Sequence, residues 1–300
     1  MRKALIDIGT NTTHMLIADV SADGQQIEEI VYKKRYYTYL GEYGLEEIHP
    51  IPLQKLYDGL KAFDESIKAL KVENVRVVAT EALRSAHNGK EITSYISKQY
   101  GWSPEIIGGL IEAKLIAKGA MQAVDMSTGS YVVMDIGGGS VEFIHVQNNI
   151  IGTMITTPLG ISRLHKNYHQ IEPISEDAIS ALKSDIEKHL IQFKQDVVSP
   201  DQSLQLVGTA GSFEIFMTSD ELSDFQMISK TVDVEQLQEE TKRLIGTTLE
   251  DREFDPSIPA NRAKYILVAL LLMDTVIEIL DINKVVVSKY ALKEGAILED

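Results

Sequence analysis

Two short stretches hold the residues with the clearest chemical use. One is Asp7-Ile8-Gly9-Thr10-Asn11-Thr12, the other Asp135-Ile136-Gly137-Gly138-Gly139-Ser140. Each is led by an Asp at the end of an apolar run and continues with small and hydroxylated residues. Small residues let backbone N–H groups approach phosphate oxygens closely, and hydroxyls add further donors. The Asp can hold a divalent cation or simply cap the turn. A single turn of this kind is common in hairpins. Two copies at the heads of similar segments point to a phosphate ligand, held where the turns face each other across a cleft. Glu142 lies two residues past Ser140 and shares a strand face with it. If Asp135 and Glu142 converge, Mg²⁺ satisfies both.

Other groups widen the inventory. Arg84, between an apolar strand and Asn88-Gly89, is expected on a loop, where its guanidinium can fork onto a phosphoryl group. Gly208-Thr209-Ala210-Gly211-Ser212 is a third polar turn, in which Thr209 and Ser212 either touch ligand or cap the next helix. Glu112 falls in the first turn of an expected helix, a place where a glutamate is favoured by the helix dipole alone. Lys33-Lys34-Arg35 reads as a solvated strand edge. His165 and His169 are four apart with no evident carboxylate partner and read as a solvated helix end or loop rather than a metal pair. A P-loop, a dinucleotide fingerprint, a Gly-x-Ser-x-Gly elbow and an H-E-x-x-H pair are all missing.

The elements that must position these groups follow from periodicity. Residues 4–8, 13–19 and 27–36 read as strands, with a helix over 53–70 on the spacing of Leu56, Leu60, Phe63 and Ile67. Strands near 75–79 and 105–107 and helices after Asn88-Gly89 and from Gly109 to about Val124 complete a first half. The pattern then restarts, with strands at 131–136 and 141–146 around the second turn. Leu5-Ile6-Asp7-Ile8-Gly9-Thr10 and Val133-Met134-Asp135-Ile136-Gly137-Gly138 are one unit written twice. Helices near 174–197 and 233–246, a strand at 204–207, a long apolar helix after Pro259, a strand at 284–288 and a helix from Leu292 follow. The expectation is two related α/β domains, 1–124 and 125–300, with the final helix free to pack back on the first.

Composition narrows the function classes. The chain has no cysteine, which excludes disulfides, thiolate metal sites and cysteine nucleophiles and fits a reducing compartment. Asp7 interrupts the N-terminal apolar run too early for a signal peptide, and the longest apolar run, Tyr265 to Met273, is far short of the roughly 20 residues of a membrane helix. A cytoplasmic protein is expected. Residues 1–124 hold 15 Lys and Arg against 16 Asp and Glu, whereas residues 125–300 hold 14 against 28. The total of −15 does not favour nucleic acid or a membrane surface, so an anionic ligand must be held by local donors.

With these residues in view the chain resembles the exopolyphosphatase / guanosine pentaphosphate phosphatase family of the actin-like ATPase superfamily, over nearly its whole length. Asp7 to Thr12 is similar to the family's D-x-G-S-N-S loop. Thr80-Glu81-Ala82-Leu83-Arg84-Ser85-Ala86-His87-Asn88 is similar to T-x-A-x-R-x-A-x-N, and Gly109-Leu110-Ile111-Glu112-Ala113 to G-x-E-E-A. Asp135 to Glu142 matches D-x-G-G-G-S-x-E in full. Pro158-Leu159-Gly160, Gly208 to Ser212, and Val287-Ser288 through Leu292-Lys293-Glu294-Gly295 resemble later segments. Ile111 replaces the first glutamate of the usual pair, Tyr39 stands where Arg is frequent, Lys264 and Ala269 stand where Asp and Gly are common, and Lys293 replaces Arg.

The resemblance implies two actin-like, ribonuclease H-like α/β domains with an interdomain cleft. It implies hydrolysis of a terminal phosphate from inorganic polyphosphate, short chains preferred, or from guanosine pentaphosphate. Glu112 would be the general base and Arg84 its catalytic partner. Phosphates would lie on Gly9, Thr10, Asn11, Thr12, Gly137, Gly138, Gly139, Ser140, Thr209 and Ser212, and Mg²⁺ on Asp7, Asp135 and Glu142. The chain stops near residue 300, so a short form without the family's C-terminal helical extension is expected, and homodimerisation is left open. Two rival readings stand beside this one, an actin-like kinase and a non-catalytic sensor of polyphosphate or (p)ppGpp.

Overall fold

Alternating apolar residues at the N-terminus build a hairpin in the computed structural model, which describes residues 1–199 and 202–299. β1 (Arg2–Ile8) and β2 (Thr12–Val20) pair antiparallel, so that Asp7 faces His14 across the ladder, and β3 (Ile27–Tyr37) adds antiparallel to β2. α1 (Pro50–Ala69) leads to β4 (Asn74–Ala79), which returns parallel to β1. The short α2 (Glu81–Ser85) and α3 (Gly89–Tyr100) precede β5 (Pro104–Ile106), parallel to β4, and α4 (Gly109–Ala123) closes this series. The sheet order is β3-β2-β1-β4-β5. Leu56, Leu60, Phe63 and Ile67, one helical face of α1, are buried with Ile6, Ile8, Met15 and Ile17 of the hairpin. Burying each such side chain contributes about 1.5–3 kcal/mol.

The second sheet repeats this plan. β6 (Ser130–Ile136), β7 (Val141–Gln147) and β8 (Ile150–Thr157) form an antiparallel meander. α5 (Ile161–Tyr168) and α6 (Glu176–Val197) lead to β9 (Leu204–Thr209), parallel to β6. α7 (Ser219–Ser223), β10 (Ser229–Val232), α8 (Val234–Leu244), α9 (Leu249–Phe254) and α10 (Ile266–Leu280) precede β11 (Val285–Ser288), parallel to β9. The order β10-β11-β9-β6-β7-β8 is the first sheet's order with one antiparallel edge strand added. This duplicated order is the actin-like α/β architecture. α10 is apolar on nearly every side because its residues fill the core beneath this sheet. Among the described residues no helix is long and apolar enough to cross a membrane.

By its packing the chain divides into two units that are not contiguous in sequence. The first holds Met1–Gln122, Gly137–Gly139 and the chain from Tyr290 on, and the second Ala123–Ile136 and Ser140–Lys289. α11 (Leu292–Ile297) therefore belongs with the first unit, where it crosses α4 at very close range. A Cβ on Gly119 would lie 1.9 Å from the Ala291 carbonyl oxygen, and one on Gly295 1.8 Å from that of Leu115. Only glycine lets these two backbones meet.

Four sequence expectations need correction. Arg84 sits on α2, a single helical turn rather than a loop, because five residues are too few to show a 3.6-residue period. The apolar helix begins at Ile266, since residues 260–265 form turns closed by bonds such as Arg262 N–H to Pro259 O at 2.7 Å. Lys33 is not a solvated edge residue. Its ammonium lies 3.0 Å from Glu294, whose side chain is wholly buried, and 5.0 Å from the Tyr290 ring centroid.

The two histidines also differ from expectation. His169 is buried and its Nε2 lies 3.0 Å from Glu172 Oε2. Glu172 also pairs with Arg252, a fully buried arginine whose Nε donates to Ala263 O at 2.9 Å. The carboxylate partner is three residues past His169, beyond the helix, where helical spacing gives no warning of it.

Candidate active site

Backbone closure of the first turn starts from Gly9, whose N–H donates to Thr12 O at 3.0 Å. A Cβ at Gly9 would stand 3.0 Å from that same oxygen, so the turn is tight. The turn's carbonyls face a neighbouring segment. Asn11 O accepts from the N–H groups of Thr38 and Tyr39, each at 3.0 Å, and Thr10 O accepts from Gly41 N–H at 3.3 Å. Thr10 is buried, and Thr12 Oγ1 lies 2.9 Å from His14 Nε2. Asp7, half-buried on β1, sits two residues before Gly9 and beside Val78 of β4.

The glycines of the second turn approach the same residues. A Cβ on Gly138 would be 2.7 Å from the Asn11 side chain, and one on Gly139 would be 2.7 Å from Glu81 Cγ and 3.0 Å from Thr10 Oγ1. Gly138 and Gly139 thus lie against Thr10, Asn11 and Glu81, all within the first unit. Close backbone approach is why Gly138 and Gly139 are glycine.

Arg84 and Glu112 meet in the first unit. Glu112 stands in the first turn of α4, its N–H bonded to Gly108 O at 2.9 Å, and is nine-tenths buried. Arg84 Nη1 donates to Glu112 Oε2 at 3.0 Å and to Ile107 O at 2.7 Å, while Nη2 donates to Glu81 Oε2 at 2.7 Å. Ser85 Oγ donates to the other oxygen of Glu81 at 2.8 Å. Burial works against the Arg84 charge, but the carboxylates of Glu112 and then Glu81 outweigh it and hold its pKa above the usual value. Glu81 is the participant that the sequence reading missed. With Arg84 on a helix, its position three residues earlier would have revealed it.

The remaining site residues gather in the second unit. Asp135 and Glu142 are direct cross-strand partners on β6 and β7, so their side chains leave the same face of the sheet. Thr209 Oγ1 donates to Asp135 Oδ2 at 2.6 Å, and Thr156 Oγ1 donates to Glu142 Oε1 at 2.8 Å. Thr209 therefore serves Asp135. Ser212 makes no side-chain capping bond to the short helical turn 213–216. Ser140 and Ser212 are both buried. Ala210 is left-handed at φ 64°, and a Cβ on Gly211 would lie 2.0 Å from Arg262 Nη2. Among the described residues no three or more His, Asp or Glu side chains stand close enough to hold a metal by themselves.

Known proteins are similar to this chain in fold and in sequence. A crystal structure of an exopolyphosphatase from Cytophaga hutchinsonii is similar at a TM-score of 0.89 and 29% identity, over 98% of this chain and 96% of that one. A guanosine-5'-triphosphate,3'-diphosphate pyrophosphatase of Aeromonas salmonicida is 27% identical over 98% of this chain, which spans 58% of that longer protein. Exopolyphosphatase 1 of Mycobacterium leprae is 23% identical over 99% of this chain and 89% of its own length. The model of the Ppx/GppA phosphatase family matches residues 16–300. With that match covering nearly the whole chain, the protein belongs to the Ppx/GppA phosphatase family.

Proposed function

We propose that this protein hydrolyses a terminal phosphoanhydride bond, in inorganic polyphosphate or in a guanosine pentaphosphate-type nucleotide. The observation that carries this reading is the Arg84–Glu112 pair beside two glycine turns, in a chain of this family. Glu112 takes the proton of the attacking water. Arg84 fixes one oxygen of that carboxylate and presents its remaining N–H groups to the phosphoryl group. The N–H groups of Thr10–Thr12 and Gly137–Gly139 hold phosphate oxygens, Gly9 serving to close the first turn, and Thr10 and Ser140 add hydroxyls.

A divalent cation fits the carboxylates present. Asp135 and Glu142 leave one sheet face and each is oriented by a threonine hydroxyl. Mg²⁺ is commonly held by one or two carboxylates, with water and phosphate oxygens completing its shell. Bound there it would neutralise phosphate charge. Within the first unit, Asp7 at the head of the first turn is the carboxylate we assign to cation binding.

The test is orthophosphate release from polyphosphate and from guanosine pentaphosphate, with and without Mg²⁺ and with no acceptor alcohol. Release in the presence of Mg²⁺ supports the hydrolase. A requirement for an acceptor would mark a kinase. Tight binding of either compound without turnover would mark a sensor.

A further inference from the structure

The first phosphate turn is flanked by an aromatic run, Tyr36-Tyr37-Thr38-Tyr39-Leu40-Gly41. Strand alternation sends Tyr36 inward, where its ring meets Phe63 at 5.3 Å, and leaves Tyr37, the last residue of β3, 37% exposed. Tyr39 adopts φ 50°, a left-handed conformation that costs an L-residue roughly 1–2 kcal/mol and that glycine takes freely. Its neighbours enforce this geometry. Thr38 N–H and Tyr39 N–H both donate to Asn11 O, Gly41 N–H donates to Thr10 O, and Leu40 is buried. A strained, non-glycine residue one hydrogen bond from a phosphate turn is a functional signal when its side chain has something to bind.

That side chain is a flat ring in a polar setting. The Tyr39 and Tyr37 rings stack with centroids 5.9 Å apart and planes 26° apart, and Lys55 Nζ lies 5.7 Å from the Tyr39 centroid. The nearest anion to Lys55 is Glu42 at 3.8 Å, with both side chains more than 40% exposed. Such a loose surface pair contributes little and gives way to a stronger anion. An aromatic step with a cation beside it, placed next to phosphate-binding N–H groups, has the layout of a nucleotide. Its base is joined through a sugar to its phosphates, and a second phosphate on the sugar lies off that axis. Inorganic polyphosphate has no flat group and gains nothing from the rings.

We propose that Tyr37, Tyr39 and Lys55 form a subsite for the nucleobase and the ribose-bound phosphate of a nucleotide substrate, so that this protein selects a phosphorylated nucleotide over inorganic polyphosphate. The inference rests on the hydrolase reading above for where the terminal phosphate sits. Stacking on an aromatic side chain contributes about 1–3 kcal/mol per base, roughly 5- to 150-fold in affinity.

The experiment compares guanosine pentaphosphate with inorganic tripolyphosphate, by kcat/KM and, separately, by the Kd of each under conditions without turnover. Tyr39→Gly removes the ring and suits the positive φ, Tyr37→Ala removes the second ring from a strand end, and Tyr39→Phe keeps the shelf. The expected result is that Tyr39→Gly and Tyr37→Ala each lower the nucleotide-to-tripolyphosphate ratio about tenfold or more, that Tyr39→Phe preserves it, and that Lys55→Gln weakens nucleotide binding. Equal losses on both ligands would show that Tyr39 only props the phosphate turn, and would overturn the subsite. If the wild type binds both compounds but cleaves neither, the hydrolase reading fails while the Kd ratios still decide the subsite.

Discussion

An arginine that donates to one carboxylate oxygen fixes the orientation of the carboxylate, and Arg84 does this to Glu112 through Oε2 at 3.0 Å. Glu112→Gln keeps size and one hydrogen-bond acceptor but cannot take up the proton. We expect kcat to fall about 10²- to 10⁴-fold with the substrate Kd within a few-fold. Steady-state phosphate release and calorimetric binding check both parts, and a parallel loss of affinity would make Glu112 structural. Arg84→Lys keeps the charge but loses the fork that spans Glu81 and Glu112. The expected drop in kcat/KM is about 10- to 100-fold, the worth of one or two charge-assisted bonds. The candidate residues themselves were legible as types at spacings, because Asp-x-Gly turns and a glutamate opening a helix are local patterns. Their mutual contacts were not, since nothing local joins residues 28 apart.

His165 carries a pH prediction at the same scale. Burial first, and then the charges of His169 and Lys264, push its pKa down from 6.5 to about 4. The unfolded chain takes up this proton near pH 6.5, the folded chain only near 4. Between those values the unfolded state binds more protons, so this contribution to stability is complete above about pH 6.5 and is lost as the pH falls. Urea denaturation at pH 7.5 and 5.0 should show the decline, and His165→Phe, retaining a ring against Tyr265, should make it shallower. An unchanged slope would place the acid sensitivity elsewhere.

The α4–α11 crossing ties an element far along the chain to the one that carries Glu112. A would-be Cβ on Gly119 lies under 2 Å from the carbonyl oxygen of Ala291, the residue that caps α11, and one on Gly295 under 2 Å from that of Leu115 on α4. Overpacking of this kind costs about 1–3 kcal/mol, and more where backbone must move. Gly119→Ala or Gly295→Ala should lower the thermal midpoint by several degrees and reduce activity, because α4 must tilt or shift. A variant with unchanged midpoint and activity would mean that α11 can separate from α4 without consequence. Long elements with many apolar positions, such as α1 and α10, were readable from periodicity. β8, β10 and α2 were not. β8 and β10 are exposed or half-buried along most of their length and so lack alternation, and α2 is shorter than two helical turns.

The whole molecule carries a net charge of −15, concentrated in residues 125–300. A long polyanion is therefore repelled overall and held only by local donors, and charges beyond about 10 Å are screened near physiological salt. We expect distributive cleavage of polyphosphate, with intermediate lengths visible on a gel time course, and a KM that rises with ionic strength. Full-length polymer persisting while only orthophosphate accumulates would reveal a processive enzyme and overturn the argument from charge.

Sequence alone determined that the chain would build one hairpin plan twice. Alternation specifies which strand face is buried, and an Asp-x-Gly turn closes a hairpin through bonds within a few residues, so both are written locally. Tertiary structure alone decided what those hairpins and helices bring together. It set Glu81 and Glu112 on one guanidinium, laid Gly138 and Gly139 against Asn11 and Thr10, buried Glu294 beside Lys33, and paired His169 with Glu172. Each of these depends on side chains whose neighbours come from other elements. Periodicity fixes the face on which a residue lies, but only the packing of one element on another fixes what that face meets.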